Sequence, residues 1–321
     1  MRRSRRQQAS AGVQGMRHIS EIVALAAAAG RMRLAVAAAQ ESSVLEAVVD
    51  AYEAGIADPI LVGNPEAIAA AAVEAREGRG VDISRFEIVP EKDLYASAAR
   101  AVELVRSGRA GFLMKGIIDT ALLLKALLSK ETGINAGRLV SHVAVMEVPT
   151  YHKLFIVTDA AINIAPDLAA FVDIIGSAVA VSRALGTNTP KVAILAAVEK
   201  VNPEKMPCTV TAAILTQMNR RGQIKNCLID GPLSLDNAIS AESARVKKIV
   251  SDVAGDADIL VAPDIEAGNI LYKCLLDLAQ AKGAGILMGA AKPVVLTSRA
   301  DTAETKLASI ALAALTGRQT N

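Results

Sequence analysis

Lys292, Ser298, Arg299, Asp301 and Glu304 crowd into one short segment, Lys292-Pro-Val-Val-Leu-Thr-Ser-Arg-Ala-Asp-Thr-Ala-Glu304. The run Pro-Val-Val-Leu reads as a strand, and behind it stand a hydroxyl, a guanidinium and two carboxylates. Such a set can hold an anion through the arginine fork and move a proton through a carboxylate. Three other strand ends are built in a similar way. In Gly111-Phe-Leu-Met-Lys115-Gly116, a lysine and a glycine follow an apolar run, and Asp119-Thr120 opens the next helical stretch. The glycine permits close backbone approach and the helix start offers unpaired N–H groups to an anion. Spacing alone equally allows Lys115 to be a solvated loop lysine. In Ile229-Asp230-Gly-Pro-Leu-Ser-Leu-Asp236, two acids flank what reads as an Asp-Gly-Pro turn, and the structural reading is favoured. In Leu260-Val-Ala-Pro-Asp264-Ile-Glu-Ala-Gly-Asn269-Ile-Leu-Tyr272-Lys273, Asp264 and Asn269 stand at a strand end with a glycine at the mouth of a helix. Acids and amides buried there need partners, so ligand contact is favoured.

The elements that must position these groups alternate along the chain. Strand signals fall at 33–38, 59–62, 86–89, 111–114, 142–148, 153–157, 191–195, 226–230, 259–261, 285–288 and 294–296. Helical stretches fill the gaps, for example 44–54, 95–107, 120–128, 167–185, 209–220, 240–253, 269–282 and 303–315. That alternation predicts an α/β fold, a three-layer α/β/α sandwich with mostly parallel sheets. Two strands joined across Pro149-Thr150-Tyr151 read as a hairpin or a crossover between lobes. The expected division is a disordered leader at 1–15, a first lobe at 16–148 plus 290–321, and a second lobe at 149–289. In parallel sheets ligands collect at the carboxyl ends of strands. Ligand contacts are therefore expected at those ends.

Composition narrows the chemistry. The 321 residues are 52% hydrophobic with mean hydropathy +0.35, enough to bury a large core, yet they include only four Tyr, four Phe and no Trp. Ala, Val, Ile and Leu must build that core, and the stacking platforms of single-stranded nucleic-acid binders are missing. Nucleic acid is not an expected partner. The 35 Lys and Arg against 33 Asp and Glu give +2, but four of the 35 are Arg2, Arg3, Arg5 and Arg6, so the rest of the chain carries −2. The body therefore has no general attraction for polyanions. The basic leader is read as an upstream start, with Met16 the better initiation residue, in preference to a targeting peptide. No run is long and apolar enough to span a bilayer, so no membrane partner is expected.

Three separated cysteines, Cys208, Cys227 and Cys274, have no CxxC or metal spacing and point to a reducing, cytoplasmic compartment. His18, His142 and His152 lack ligand spacing, so neither a metal nor a histidine triad is expected. No G-x-G-x-x-G follows the first strand, and G-x-x-x-x-G-K-[ST] is absent. A dinucleotide-binding dehydrogenase and a P-loop NTPase both lose their main support.

Taken together, the segments resemble the phosphate acetyltransferase/phosphate butyryltransferase family. The resemblance runs from about 19 to 316 and is densest in Ala257-Asp-Ile-Leu-Val-Ala-Pro-Asp-Ile-Glu-Ala-Gly-Asn-Ile-Leu-Tyr-Lys273, Asp230-Gly-Pro-Leu-Ser-Leu-Asp236, Gly289-Ala-Ala-Lys-Pro-Val294 and Ser298-Arg299. It implies an isocitrate/isopropylmalate-dehydrogenase-like two-lobed fold with the active-site cleft between the lobes. It also implies reversible transfer of a short acyl group between coenzyme A and inorganic phosphate, no permanently bound cofactor, no metal and a homo-oligomer. Because phosphate or the CoA thiol is the nucleophile, no catalytic Cys or Ser triad is required.

By that resemblance Arg299 is the phosphate-site arginine and Ser298 hydrogen-bonds the developing oxyanion. The acetyl branch continues Ser-Arg-Gly-Cys and has an aspartate seven positions after the serine. This chain reads Ser-Arg-Ala-Asp and has Thr305 there, which leaves Glu304, Asp301 or no dedicated base. Lys115-Gly116 replaces the acetyl branch's Ser-Gly and leans toward butyryl. Lys115, Gly116, Asp264, Asn269 and Lys292 are the expected substrate-binding residues. Competing expectations are phosphate acetyltransferase, a metal-dependent decarboxylating dehydrogenase on the related fold, and a non-catalytic acyl-CoA-binding domain.

Overall fold

The computed structural model describes residues 15–298 and 301–319. The expectations about the first fourteen residues and about Arg299 lie outside the described residues. In chain order the strands are β1 Met32–Ala37, β2 Ala57–Gly63, β3 Glu87–Pro90, β4 Phe112–Lys115, β5 Ser141–Glu147, β6 Phe155–Thr158, β7 Lys191–Leu195, β8 Leu228–Leu233, β9 Ile259–Val261, β10 Lys282–Met288 and β11 Val294–Val295. The helices are α1 Ile19–Ala28, α2 Ser42–Glu53, α3 Pro65–Gly78, α4 Leu94–Arg106, α5 Thr120–Leu127, α6 Leu168–Ala184, α7 Cys208–Arg220, α8 Leu235–Ile239, α9 Ala241–Val246, α10 Ile265–Asp277 and α11 Ala303–Gln319.

Each strand signal in the sequence has its strand, displaced by a few residues at most, because each is an apolar run that a two-sided core requires. The strands form one sheet in the order β3-β2-β1-β4-β11-β10-β5-β6-β9-β7-β8. Parallel pairing links β3 through β11 at one end and β6 through β8 at the other. Between them β11, β10, β5 and β6 pair antiparallel, so the two parallel runs point in opposite directions. β5 and β6 pair antiparallel across Pro149, which makes the hairpin the right one of the two readings.

The faces of the sheet differ. One carries a single apolar layer that includes Val36, Val143, Ile286 and Ile194. On the other face one cluster holds Ala35, Leu113, Leu287 and Val294, and a separate one holds Ala144, Met146, Val157 and Leu260. Side chains alternate along β5, so His142 shares the divided face with Ala144 and Met146. It pairs with Leu287 of β10, at the junction of the two clusters.

Helix starts follow short polar caps. Asn64 accepts from the amides of Glu66 and Ala67, Asp93 from Ala96, Asp167 from Ala170 and Asp264 from Ala267. The last of these corrects an expectation. The helix read at 269–282 runs Ile265–Asp277 because Asp264 caps it four residues earlier, which puts Gly268 and Asn269 inside its first turns. Two further readings change. The stretch 240–253 is not one helix: Ser240 caps α9, which ends at Val246. Asp230-Gly231-Pro232 lies within β8 and is not a turn. Gly231 is needed in that strand because a Cβ there would come 2.8 Å from Ile194 Cβ and 2.9 Å from its carbonyl oxygen on β7.

Candidate functional site

Parallel pairing of β4 with β11 matches Val295 to Met114. Lys115-Gly116 and Thr297-Ser298 therefore leave the sheet side by side. Gly116 is fixed by contact with β1: its amide donates to Ala37 O at 2.8 Å, and a Cβ on it would lie 2.1 Å from Ala38 O. Lys115, half-buried, turns its ammonium back to donate to the carbonyls of Gly116 and Ile118 at 3.2 and 3.0 Å. Ile117, Ile162 and Leu296 pack on one apolar cluster. That contact gathers the loops after β4, β6 and β11 on the divided face.

Beyond β11, Ser298 and Asp301 are paired. Ser298 N donates to the Asp301 carboxylate at 2.7 Å, and Asp301 N donates back to Ser298 O at 3.1 Å. The Asp301 carboxylate also acts electrostatically on His142 and on Tyr272 of α10. Glu304 is directed elsewhere: it is 63% exposed and pairs with Lys282 at 2.7 Å. Both acids border a cavity of about 270 Å³ beside Leu276 and Gly283. Lys292 stands at the opposite end of β11 from Ser298, next to Pro293, whose carbonyl accepts from Leu113 N. The structure thus pairs Ser298 with Asp301, places Lys115 and Gly116 after the strand next to β11, pairs Glu304 with Lys282 and puts Lys292 before β11.

Asp264 caps α10 and Asn269 Nδ2 donates to Ala160 O at 3.0 Å. Gly268 sits so close to the loop after β6 that a Cβ would meet Asp159 O at 2.2 Å. Both residues therefore seat α10 on the 159–163 loop. That loop has its own hub, which the sequence reading missed. Asp159, 4% exposed, accepts from the amides of Ala161 and Ile162 at 2.8 and 3.0 Å and from Asn163 Nδ2 at 2.6 Å. A lone acid in Asp-Ala-Ala-Ile-Asn gave no motif, although an aspartate just past a strand and followed by small residues is a recurrent Asx-turn pattern.

His142 was also missed, because histidines were weighed only as metal ligands or triad members. It is 4% exposed, its ring meets Tyr272 edge-on with centroids 5.6 Å apart, and Nδ1 has no hydrogen-bond partner among the described residues. Gly285 makes room for the ring, since a Cβ there would lie 3.0 Å from Nε2 and 3.3 Å from Leu296 O. Burial lowers the imidazole's pKa below its ordinary 6.5, against the opposing pull of the Asp159 and Asp301 carboxylates. Burial likewise raises the Tyr272 phenol, so it stays protonated.

A lowered histidine pKa gives the unfolded chain more bound protons as pH falls below about 6.5, so the stabilisation present above that value is lost on acidification. His142→Gln removes this site's titration. Thermal midpoints measured from pH 8 to pH 5 should fall more steeply for the parent than for the variant below 6.5. Parallel curves would show that His142 does not carry this dependence.

Among the described residues no three or more His, Cys, Asp or Glu side chains gather in a way that could hold a metal ion, and no helix is long and apolar enough to cross a membrane.

The family model "Phosphate acetyl/butaryl transferase" matches residues 66–314. The chain is 47% identical over 300 residues to phosphate butyryltransferase of Clostridium acetobutylicum, covering 94% of this chain and 98% of that one. It is 46% identical over 298 residues to phosphate acetyltransferase of Thermotoga maritima, covering 92% and 99%. The crystal structure of a branched-chain phosphotransacylase from Enterococcus faecalis V583 superposes with a TM-score of 0.77 at 36% identity, covering 89% and 99%.

Proposed function

The chain belongs to the phosphate acetyl/butyryl transferase family, and from that premise we propose that butyryl is its preferred acyl group, transferred by direct attack in a ternary complex. The enzyme is an acyltransferase, and its reaction moves a short acyl group reversibly between coenzyme A and inorganic phosphate. A phosphate oxygen bonds to the thioester carbonyl carbon, the carbon–sulfur bond breaks, and the proton carried by the phosphate ends on the CoA sulfur.

Arg299 and Lys115 hold the phosphate, Ser298 donates to the oxyanion, and Asp301 mediates the proton between phosphate and sulfur. Gly116 keeps the Lys115 turn close to β1. Asp264 and Asn269 shape the wall on the CoA side, and Lys292 is left out of the site. The observation that carries this reading is the register of β4 with β11, which sends the Lys115 and Ser298 segments off the sheet as neighbours. The divided apolar face supports a cleft between a lobe of 16–148 with 290–321 and a lobe of 149–289. Coenzyme A and phosphate enter as substrates and no cofactor is held permanently. The enzyme works as a homo-oligomer, and its three free cysteines fit the reducing cytoplasm.

The choice of Asp301 over Glu304 rests on direction: Asp301 acts on the buried His142 and Tyr272, whereas Glu304 faces Lys282. Asp301→Asn keeps an acceptor for Ser298 N but cannot take a proton. It is expected to lower kcat by about a hundredfold, the lower end of general acid–base contributions. Glu304→Gln should stay within about twofold, since exposed pairs contribute little. The opposite ranking would move the proton role to Glu304.

Chain length is tested by kcat/KM for acetyl-CoA and butyryl-CoA at saturating phosphate. Two extra buried methylenes are worth about 1.6 kcal/mol, or roughly fifteenfold, in favour of butyryl. Acetyl-CoA used equally well or better would overturn the butyryl preference in favour of acetyl.

A further inference from the structure

Helix α11 is buried from Ala308 through Gly317, and just ahead of that stretch lies a charged side chain that is only 1% exposed, Lys306. Its ammonium donates to Asp301 O at 2.6 Å. Among the described residues no carboxylate comes within ion-pairing distance of it; Glu41, Asp301 and Glu46 act on it only from farther away. The placement is doubly unfavourable. Burial disfavours an ammonium, and the first turn of a helix is the positive end of its dipole. Methionine would fill the same space without either penalty.

What the ammonium does hold is the Asp301 carbonyl, and Asp301 is in turn paired with Ser298: Ser298 N donates to Asp301 Oδ2 and Asp301 N donates to Ser298 O. We propose that Lys306 is a positioning residue for phosphate: it fixes the Asp301 carbonyl and, through that pairing, the placement of Ser298 beside the phosphate. This rests on the reading of Arg299, the next residue in sequence, as the phosphate anchor. A cation beside the pair also adds positive potential where a dianion must sit.

The test uses Lys306→Met and Lys306→Gln in the full-length enzyme, with the KM for phosphate and for butyryl-CoA measured separately. Methionine cannot donate, and the glutamine amide falls one bond short of the Asp301 oxygen. Each variant should raise the phosphate KM at least tenfold while the butyryl-CoA KM stays within twofold, with a thermal midpoint no lower than the parent's for methionine. If methionine at this position does not fold, the glutamine variant carries the same expectation. A phosphate KM within twofold of the parent, or both KM values rising together, would overturn the proposal. A parent enzyme that releases no thiol in response to phosphate would instead sink the underlying reading of the site, so the two failures are distinguishable.

Discussion

Arg299→Ala is expected to lower kcat/KM for phosphate by about a hundredfold to a thousandfold, through a higher phosphate KM and a lower kcat, with little change in the KM for acyl-CoA. The size follows from removing a charge-assisted donor whose contacts strengthen as charge develops in the transition state. Arg299 directly follows Ser298, whose amide is tied to Asp301. The Lys115 segment is pinned to β1. Arg299→Lys keeps the charge but loses the planar fork, so it should recover only part of the loss. Steady-state kinetics with phosphate and acyl-CoA varied independently decide the matter. Phosphate kinetics unchanged in the alanine variant would remove Arg299 from the site.

Alanine at Gly116 is expected to cost both stability and activity. Its Cβ would lie 2.1 Å from Ala38 O, 2.6 Å from Ala37 O and 2.8 Å from Ala38 C. All three are backbone atoms of the chain leaving β1, which cannot swing aside as a side chain can. The turn must lift off β1, breaking the Gly116 and Ile117 amide bonds to Ala37 and Ala38. A loss of about 2–4 kcal/mol in stability follows, together with most of the activity, because Lys115 moves with the turn. Gly176, in the middle of α6, is the contrasting control: nothing lies within 4 Å of a Cβ built there. Gly176→Ala should add about 0.5–1 kcal/mol of stability and leave kcat unchanged. Urea midpoints and kcat for both variants are the measurement. Equal midpoints would refute the close-packing account of Gly116.

Strands were legible because each one is a short apolar run and a sheet covered on both faces demands little else. Helix boundaries were less so. The 269–282 reading followed the last glycine and asparagine, while the helix begins at a cap, Asp264, and uses Gly268 to lie against Asp159 O. Asp-Gly-Pro at 230–232 has turn chemistry in isolation, but packing against Ile194 and Ala212 keeps it in the strand. Around β11, Ser298 and Asp301 stand close in sequence and the structure pairs them. Their tertiary neighbours were invisible in the sequence: His142 comes from the middle of the sheet, Asp159 from the loop after β6 and Lys306 from α11. Glu304, also close in sequence, forms an ion pair with Lys282.

The most direct test of the central claim is release of free thiol from butyryl-CoA, followed with and without phosphate and in the presence of a chelator, with acyl phosphate quantified in the same samples. The account predicts thiol release that requires phosphate, is indifferent to the chelator, and is matched mole for mole by acyl phosphate. Thiol release without phosphate, or none at all, would contradict it.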